Sequence, residues 1–368
     1  MSTVVKTPLA SSQSPGGVPY ANARIRAARQ RLLSTDEARA YLDEPNFESF
    51  FKRLSKGPYG DALTTALLTQ SGVEAASVAL ASSLRKAYTW VYGLCDKHFR
   101  KLLTALVAKW DVNDLKTIIR AKASGEALSS ERTAFMGIGV QISPEEIRAL
   151  IRQESLEDVV NLILTWGLPY GQAFSEGLEA YMLKPNVADF ELRLDKAYTT
   201  WACTQIRGVG EAAKYARRVF GQGIDTLNID TLIRLADTPP GEVEDPLSYV
   251  LPGGYYLNNK LFELLMEEHD LHEMITLLKK SIPDYGGALT EGYGNYELTG
   301  HLSEIERALE VRLTRQTIKE GARDILGFGV VLSYLTAKER ETTNLGIIAH
   351  GVYRGVAPGV IEKDLTLV

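Results

Sequence analysis

Seven consecutive positions, Glu267-Glu268-His269-Asp270-Leu271-His272-Glu273, concentrate side chains that bind divalent metals. Imidazole nitrogens and carboxylate oxygens suit zinc and its neighbours, but a closed site draws ligands from more than one direction. Two histidines on one helix lack the third ligand. His269 and His272 flank Leu271, which belongs to an apolar helix stripe, and His272 falls where a second copy of the same pattern has Glu157. The segment reads as a solvated polar helix face. Gly208-Val209-Gly210-Glu211-Ala212-Ala213 loosely matches a dinucleotide fingerprint. That fingerprint needs a strand before it and a helix after it. Here the helical segment 197–207 precedes it. No Gly-x4-Gly-Lys-Ser/Thr loop occurs, which excludes nucleotide hydrolysis by that route. Cys95 and Cys203 lie near Trp90 and Trp201 and read as core thiols rather than nucleophiles. No convergent nucleophile, base and oxyanion donor is present. The sequence therefore assigns no catalytic, cofactor-binding or metal residue.

Composition is that of an ordinary soluble globular chain. It has 368 residues, 45% hydrophobic and 24% charged, a length of two to three ordinary domains. A fibrous or wholly disordered chain is excluded. The net charge of −5 disfavours nonspecific binding to nucleic acid or anionic lipid. Two cysteines exclude a disulfide scaffold and point to a reducing compartment. The longest uncharged apolar stretch, residues 325–337, is too short for a spanning helix, which needs about 20 residues. It reads as a core helix segment. Residues 1–18 are polar and rich in Ser, Pro and Gly, and read as a flexible tail rather than a secretory signal. Charge is uneven: +7 over residues 1–142, −7 over 143–257 and −5 over 258–368.

The elements that must carry these residues are written three times. Tyr59-Gly60-Asp61-Ala62-Leu63 recurs as Tyr170-Gly171-Gln172-Ala173-Phe174 and as Tyr285-Gly286-Gly287-Ala288-Leu289. Pro58, Pro169 or Pro283 stands just before each Tyr, so each motif reads as a helix-to-helix turn. An apolar i, i+3, i+4, i+7 stripe precedes each turn: Phe47, Phe50, Phe51, Leu54; then Leu156, Val159, Val160, Ile163; then Leu271, Met274, Ile275, Leu278. Capping boxes open two copies, at Ser34 with Glu37 and at Ser143 with Glu146, and degrade to Asn258-Asn259 in the third. A closing pattern runs from Asp111 to Arg120, from Asp225 to Arg234 and from Glu341 to His350, with Asn228 and Asn344 at its fourth position. Long helices are expected over 73–109, 188–218 and 302–323, and no alternating strand pattern appears. Gly- and Pro-rich linkers near 121–142 and 236–256 separate the copies. The expected organisation is a tail (1–18) and three helical repeats, 19–135, 136–250 and 251–368. The repeats could form a pseudo-threefold body or a row. Tyr59, Tyr170, Tyr285 and their glycines read as turn residues, and Arg120 and Arg234 as partners of carboxylates or helix ends.

The segment from Tyr20 through Arg24 and Arg26 to Arg29, the three Tyr-Gly turns, Leu251-Pro252-Gly253-Gly254 and the Asn228 and Asn344 helices together resemble the C subunit of the prokaryotic V/A-type rotary ATPases, whose vacuolar equivalent is the d subunit. The resemblance runs from about Tyr20 to the end. It departs in the tail and at Gly137-Ile138-Gly139, where Pro-Gly-Gly would match. It implies an all-α, three-domain, funnel-like protein without enzymatic activity. It also implies one copy per complex on the cytoplasmic face of a membrane rotor ring. That copy would seat the central shaft (subunits D and F) and pass torque between ATP chemistry and ion transport, H+ or Na+. No cofactor, small-molecule substrate or nucleic acid is implied. The alternative is a generic helical-repeat scaffold for another soluble protein.

Overall fold

The computed structural model describes residues 17–126, 128, 137–138, 140–236, 238, 243, 245–268, 270–324 and 327–367. It is all-helical, with no strand among the described residues. Helix α1 (Gly17–Arg29) leads, so Gly17 and Val18 of the expected tail are helical. The first copy runs α2 (Thr35–Leu42), α3 (Phe47–Lys56), α4 (Gly60–Ala66) and α5 (Gly72–Leu94), and closes on α6 (Lys97–Val107) and α7 (Lys109–Ser124). The second runs α8 (Pro144–Ile151), α9 (Leu156–Thr165), α10 (Gly171–Leu183) and α11 (Val187–Gln205), and closes on α12 (Glu211–Ala236). The third runs α13 (Asn259–Met266), α14 (Leu271–Ser281), α15 (Gly286–Thr299) and α16 (Ser303–Arg323), and closes on α17 (Phe328–Tyr353). A final helix, α18 (Pro358–Asp364), ends the chain.

Local chemistry sets these boundaries. Ser34 and Ser143 each accept from the N–H three residues on, while Glu37 and Glu146 return the bond, so both boxes form. Asn258 caps α13 through the N–H of Leu261. Two of the expected long helices are broken. The 73–109 stretch stops at Leu94 because Asp96 caps a new helix through the Phe99 N–H at 2.8 Å. Arg100 then covers the open end of α5, donating to the carbonyls of Tyr92 and Gly93. The 188–218 stretch breaks at residues 206–210, where Gly208 and Gly210 separate α11 from α12. The third stretch is continuous as α16. Of the apolar run 325–337, the described part lies in α17, and Phe328 and Val330–Leu335 are buried there.

The core sits where one copy meets the next. Val112, Leu115, Ile118 and Ile119 of α7 pack with Ile147, Leu150, Val159 and Val160 of the second copy. Ile229, Leu232 and Ile233 of α12 pack with Phe262, Met274 and Tyr285 of the third. Leu345, Ile348 and Ala349 of α17 return to Phe50, Leu54 and Tyr59 of the first. Each closing helix thus fills the apolar core of the copy that follows it, and the last one fills the core of the first.

Candidate interaction site

The closing helices hold the following copy by two polar positions each. The first position is an acid, and it accepts from backbone N–H groups just ahead of the next helix cap. Asp111 accepts from Gln141 at 2.7 Å. Asp225 accepts from Tyr256 at 2.9 Å and Leu257 at 3.0 Å. Glu341 accepts from Leu33 at 2.5 Å. The fourth position clips a non-helical segment of chain. Asp114 accepts from the Gly137 N–H at 2.8 Å. Asn228 brackets Leu251, accepting its N–H at 2.8 Å and donating to its carbonyl at 2.9 Å. Asn344 brackets Thr366 in the same way, at 3.0 and 2.9 Å. The segment around Thr366 therefore takes, for the first copy, the place a linker takes for the others. Gly254 explains the Pro-Gly-Gly linker: a Cβ there would stand 2.6 Å from the Asp225 carboxylate.

Of the turn tyrosines, Tyr59 donates to the acid of its seam, Glu341. Tyr285 donates to the Gln222 carbonyl at 3.1 Å, one turn before Asp225. The Tyr170 hydroxyl is buried without a hydrogen-bond partner among the described residues, and burial followed by the Asp111 charge raises its pKa well above the usual phenol value. Gly60, Gly171 and Gly286 begin the helices that follow. The tenth position of each closing pattern reaches the first turns of a long helix in the next copy. Arg120 grips Glu191 through two nitrogens, at 2.5 and 2.6 Å. Arg234 pairs with Glu306. His350 contacts the Ser77 hydroxyl at 3.0 Å.

All three closing helices border one cavity of about 740 Å³. Leu103 and Val107 of α6, Phe220 and Ile224 of α12, and Leu332 and Leu335 of α17 form its apolar wall. Its polar wall is largely acidic. Glu304, Glu306, Glu310 and Glu339 each have a cation, in Arg307, Arg234, Arg340 and Lys109. Asp230 differs: its Oδ1 is buried without a hydrogen bond among the described residues. Burial, then the charge of Glu306, push its pKa up to about 7. Burial likewise pushes Asp111 up to about 8, against the N–H bonds from Gln141 and Ile142. Both folded-state values lie above those of the unfolded chain, so the folded state keeps protons that the unfolded state loses, and stability falls as pH rises from about 4 to about 8. Asp230→Asn is expected to raise stability at pH 8 by about 1–3 kcal/mol and to gain progressively less towards pH 4, as read by thermal unfolding across that range. A gain that is equal at every pH would mean that Asp230 is ionised throughout.

The other candidate groups do not converge. His272 lies against the Tyr293 ring, and His269 falls outside the described residues. Among the described residues no cluster of three His, Cys, Asp or Glu could hold a metal. Gly208 and Gly210 sit in the loop between two helices. Burial raises the pKa of Cys95 to about 12 and also raises that of Cys203, which removes thiolate character. Sequence reasoning missed Asp230, Lys338 and the apolar hairpin tips. Leu68, Met182, Leu183 and Leu298 are 81%, 67%, 89% and 85% exposed, and all lie where the third helix of a copy turns into the fourth. Scattered exposed leucines are ordinary; recurrence at one place in all three copies is not.

Comparison with known proteins adds the family. Residues 21–364 match the family described as ATP synthase (C/AC39) subunit. The chain is 27% identical over 351 residues to the C subunit of the A-type ATP synthase of Methanothermobacter thermautotrophicus, covering 94% of this chain and 86% of that protein. It is 27% identical over 349 residues to the C subunit of the A-type ATP synthase of Haloferax volcanii, covering 95% and 97%. It is 24% identical over 358 residues to the C subunit of the V-type ATP synthase of Deinococcus radiodurans, covering 95% and 92%.

Proposed function

The chain belongs to the ATP synthase (C/AC39) subunit family, and from that premise we propose that it is the non-catalytic socket of a V/A-type rotary ATPase. In this reading it joins the central shaft, subunits D and F, to the membrane rotor ring and passes torque between them. The ring, not this chain, selects H+ or Na+. The three copies form a pseudo-threefold, funnel-like body, with one chain per complex, peripheral on the cytoplasmic face. Among the described residues no helix is long and apolar enough to cross a membrane.

The observation that carries the reading is the cavity shared by all three closing helices. Its apolar wall suits the end of a helical shaft. A rotor adaptor must resist shear, and here each closing helix is packed into the next copy's core, so twisting one copy displaces another. The third closing helix is taken up by the first copy.

The test is reconstitution. The purified chain is mixed with a shaft complex and a detergent-solubilised rotor ring, and the products are weighed by native mass spectrometry. The expected product is a ternary complex with one copy of this chain. Binding to neither partner returns the protein to a generic helical scaffold. The hairpin tips give a finer expectation. Leu298 is exposed and lies five residues before Ser303, which lines the cavity. Leu68→Ser, Leu183→Ser and Leu298→Ser together are expected to leave the melting temperature unchanged, because all three residues are exposed. They should weaken shaft binding by roughly tenfold, as measured by titration calorimetry.

A further inference from the structure

Outside the cavity, on another face of α16, Arg315, Lys319 and Arg323 stand at i, i+4 and i+8, all exposed. Among the described residues, no ion pair or hydrogen bond engages any of the three. Like charges one turn apart repel, so the row is a cost to an isolated helix. Arg323 alone is offset in part by the negative helix C-terminus. The nearby acid Glu320 is already taken by Arg218 at 2.6 Å. Arg312, in line with the row, turns inward to the Asp284 carbonyl at 2.7 Å and lies over the Tyr285 ring.

The row edges a groove of about 530 Å³ between α15 and α16. Ala288, Ala308 and Val311 line its floor. Such small side chains let the backbone of another helix approach closely. From Arg315 to Arg323 the charges span about 12 Å, at about 6 Å intervals. A phosphate or a nucleotide neutralises a point; this is a line. Its complement is a line of carboxylates at the same interval beside an apolar strip. The chain as a whole carries −5, so the row is a local feature and not part of a general attraction for anions.

We propose that the groove between α15 and α16 receives an acidic amphipathic helix of a partner protein, its carboxylates one turn apart along Arg315, Lys319 and Arg323. The proposal is independent of the socket reading, since it uses none of the residues that line the cavity.

The test is fluorescence anisotropy on the full chain with two labelled peptides of about 18 residues, or five turns. One carries Glu at i, i+4 and i+8 beside Ala and Leu. The other has the same composition with Glu scattered around the helix. The faced peptide is expected to bind roughly tenfold more tightly, and added salt to weaken it. Arg315→Ala with Lys319→Ala is expected to abolish that preference at an unchanged melting temperature. Equal binding of the two peptides, binding of neither, or a preference that survives in the double variant overturns the proposal. So does capture by phosphatidylglycerol vesicles that the double variant loses, if neither peptide binds.

Discussion

Replacing Lys338 by methionine is expected to cost the fold about 3–5 kcal/mol, measured by urea unfolding at neutral pH. Lys338 Nζ lies 2.7 Å from Glu341 Oε1, and the two side chains are 8% and 7% exposed. The ammonium also donates to the Tyr59 hydroxyl at 2.8 Å and stands 4.4 Å from the centre of that ring. Tyr59 in turn donates to Glu341, whose second oxygen holds the Leu33 N–H. Methionine keeps the apolar stem and removes the charge together with its N–H donors. Glu341 is then a buried anion with no cation, which is the expensive outcome. Lys338→Met with Glu341→Gln is expected to recover much of the loss, because the uncompensated charge goes. Tyr59→Phe removes two hydrogen bonds, the one donated to Glu341 and the one accepted from Lys338, and is expected to cost about 1–3 kcal/mol. If Lys338→Met and Tyr59→Phe cost the same, the triad is held by packing and not by charge.

The other two seams run the same geometry without the lysine. Three residues before the acid, Ala108 and Gln222 stand where Lys338 stands in the third closing helix. Asp111 is then stabilised by backbone N–H groups, and Asp225 by backbone N–H groups with the charge of Arg312, and burial raises the pKa of both. One seam holds an internal cation, while two carry acids that favour their protons. Their contribution to stability is greatest at low pH and fades as pH rises, so a pH titration separates the seams.

Much of this was visible in the sequence, and the reason is locality. A capping box such as Ser143 with Glu146 closes within four residues. The stripes that bury Val159 with Ile163, or Met274 with Leu278, repeat over two turns. Asp96 lay within reach too, as an Asp with a helix-length apolar pattern after it, but composition over the whole 73–109 window hid the break. The seams are another matter. An acid recurs at Asp111, Asp225 and Glu341, yet nothing local says that the first reaches Gln141, 30 residues on, and the third Leu33, 308 residues back. Asp230 has the form of any helix carboxylate. The approach of α16, with Glu306 beside it, is what sets it apart: its Oδ1 is buried without a hydrogen bond among the described residues.

Ending the chain at Pro358 is expected to remove about 4–9 kcal/mol and to loosen the first copy ahead of the others. Ile361 and Leu365 are buried in the same cluster as Phe50, Leu54 and Tyr59. Each withdraws roughly 1.5–3 kcal/mol of apolar burial when lost. Gly351 shows how close the contact is: a Cβ there would stand 2.5 Å from Ile361 Cδ1. Loss of Thr366 leaves both polar groups of buried Asn344 unbonded, at about 1–3 kcal/mol. The exposed Arg39–Glu362 pair adds little. A loss of this size is comparable to the whole stability of an ordinary domain, about 5–15 kcal/mol, yet α17 and α5 still tie the first copy to the rest. The expected result is therefore local. Hydrogen exchange should rise in α2, α3, α4 and the first half of α5, while the amides of α8 to α11 and α13 to α16 stay protected. The other two seams are crossed by continuous chain, through residues 125–143 and 237–258. This seam is joined only by contacts, so it is where the body would open. Exchange that rises evenly across all three copies would show instead that the seams unfold as one cooperative unit.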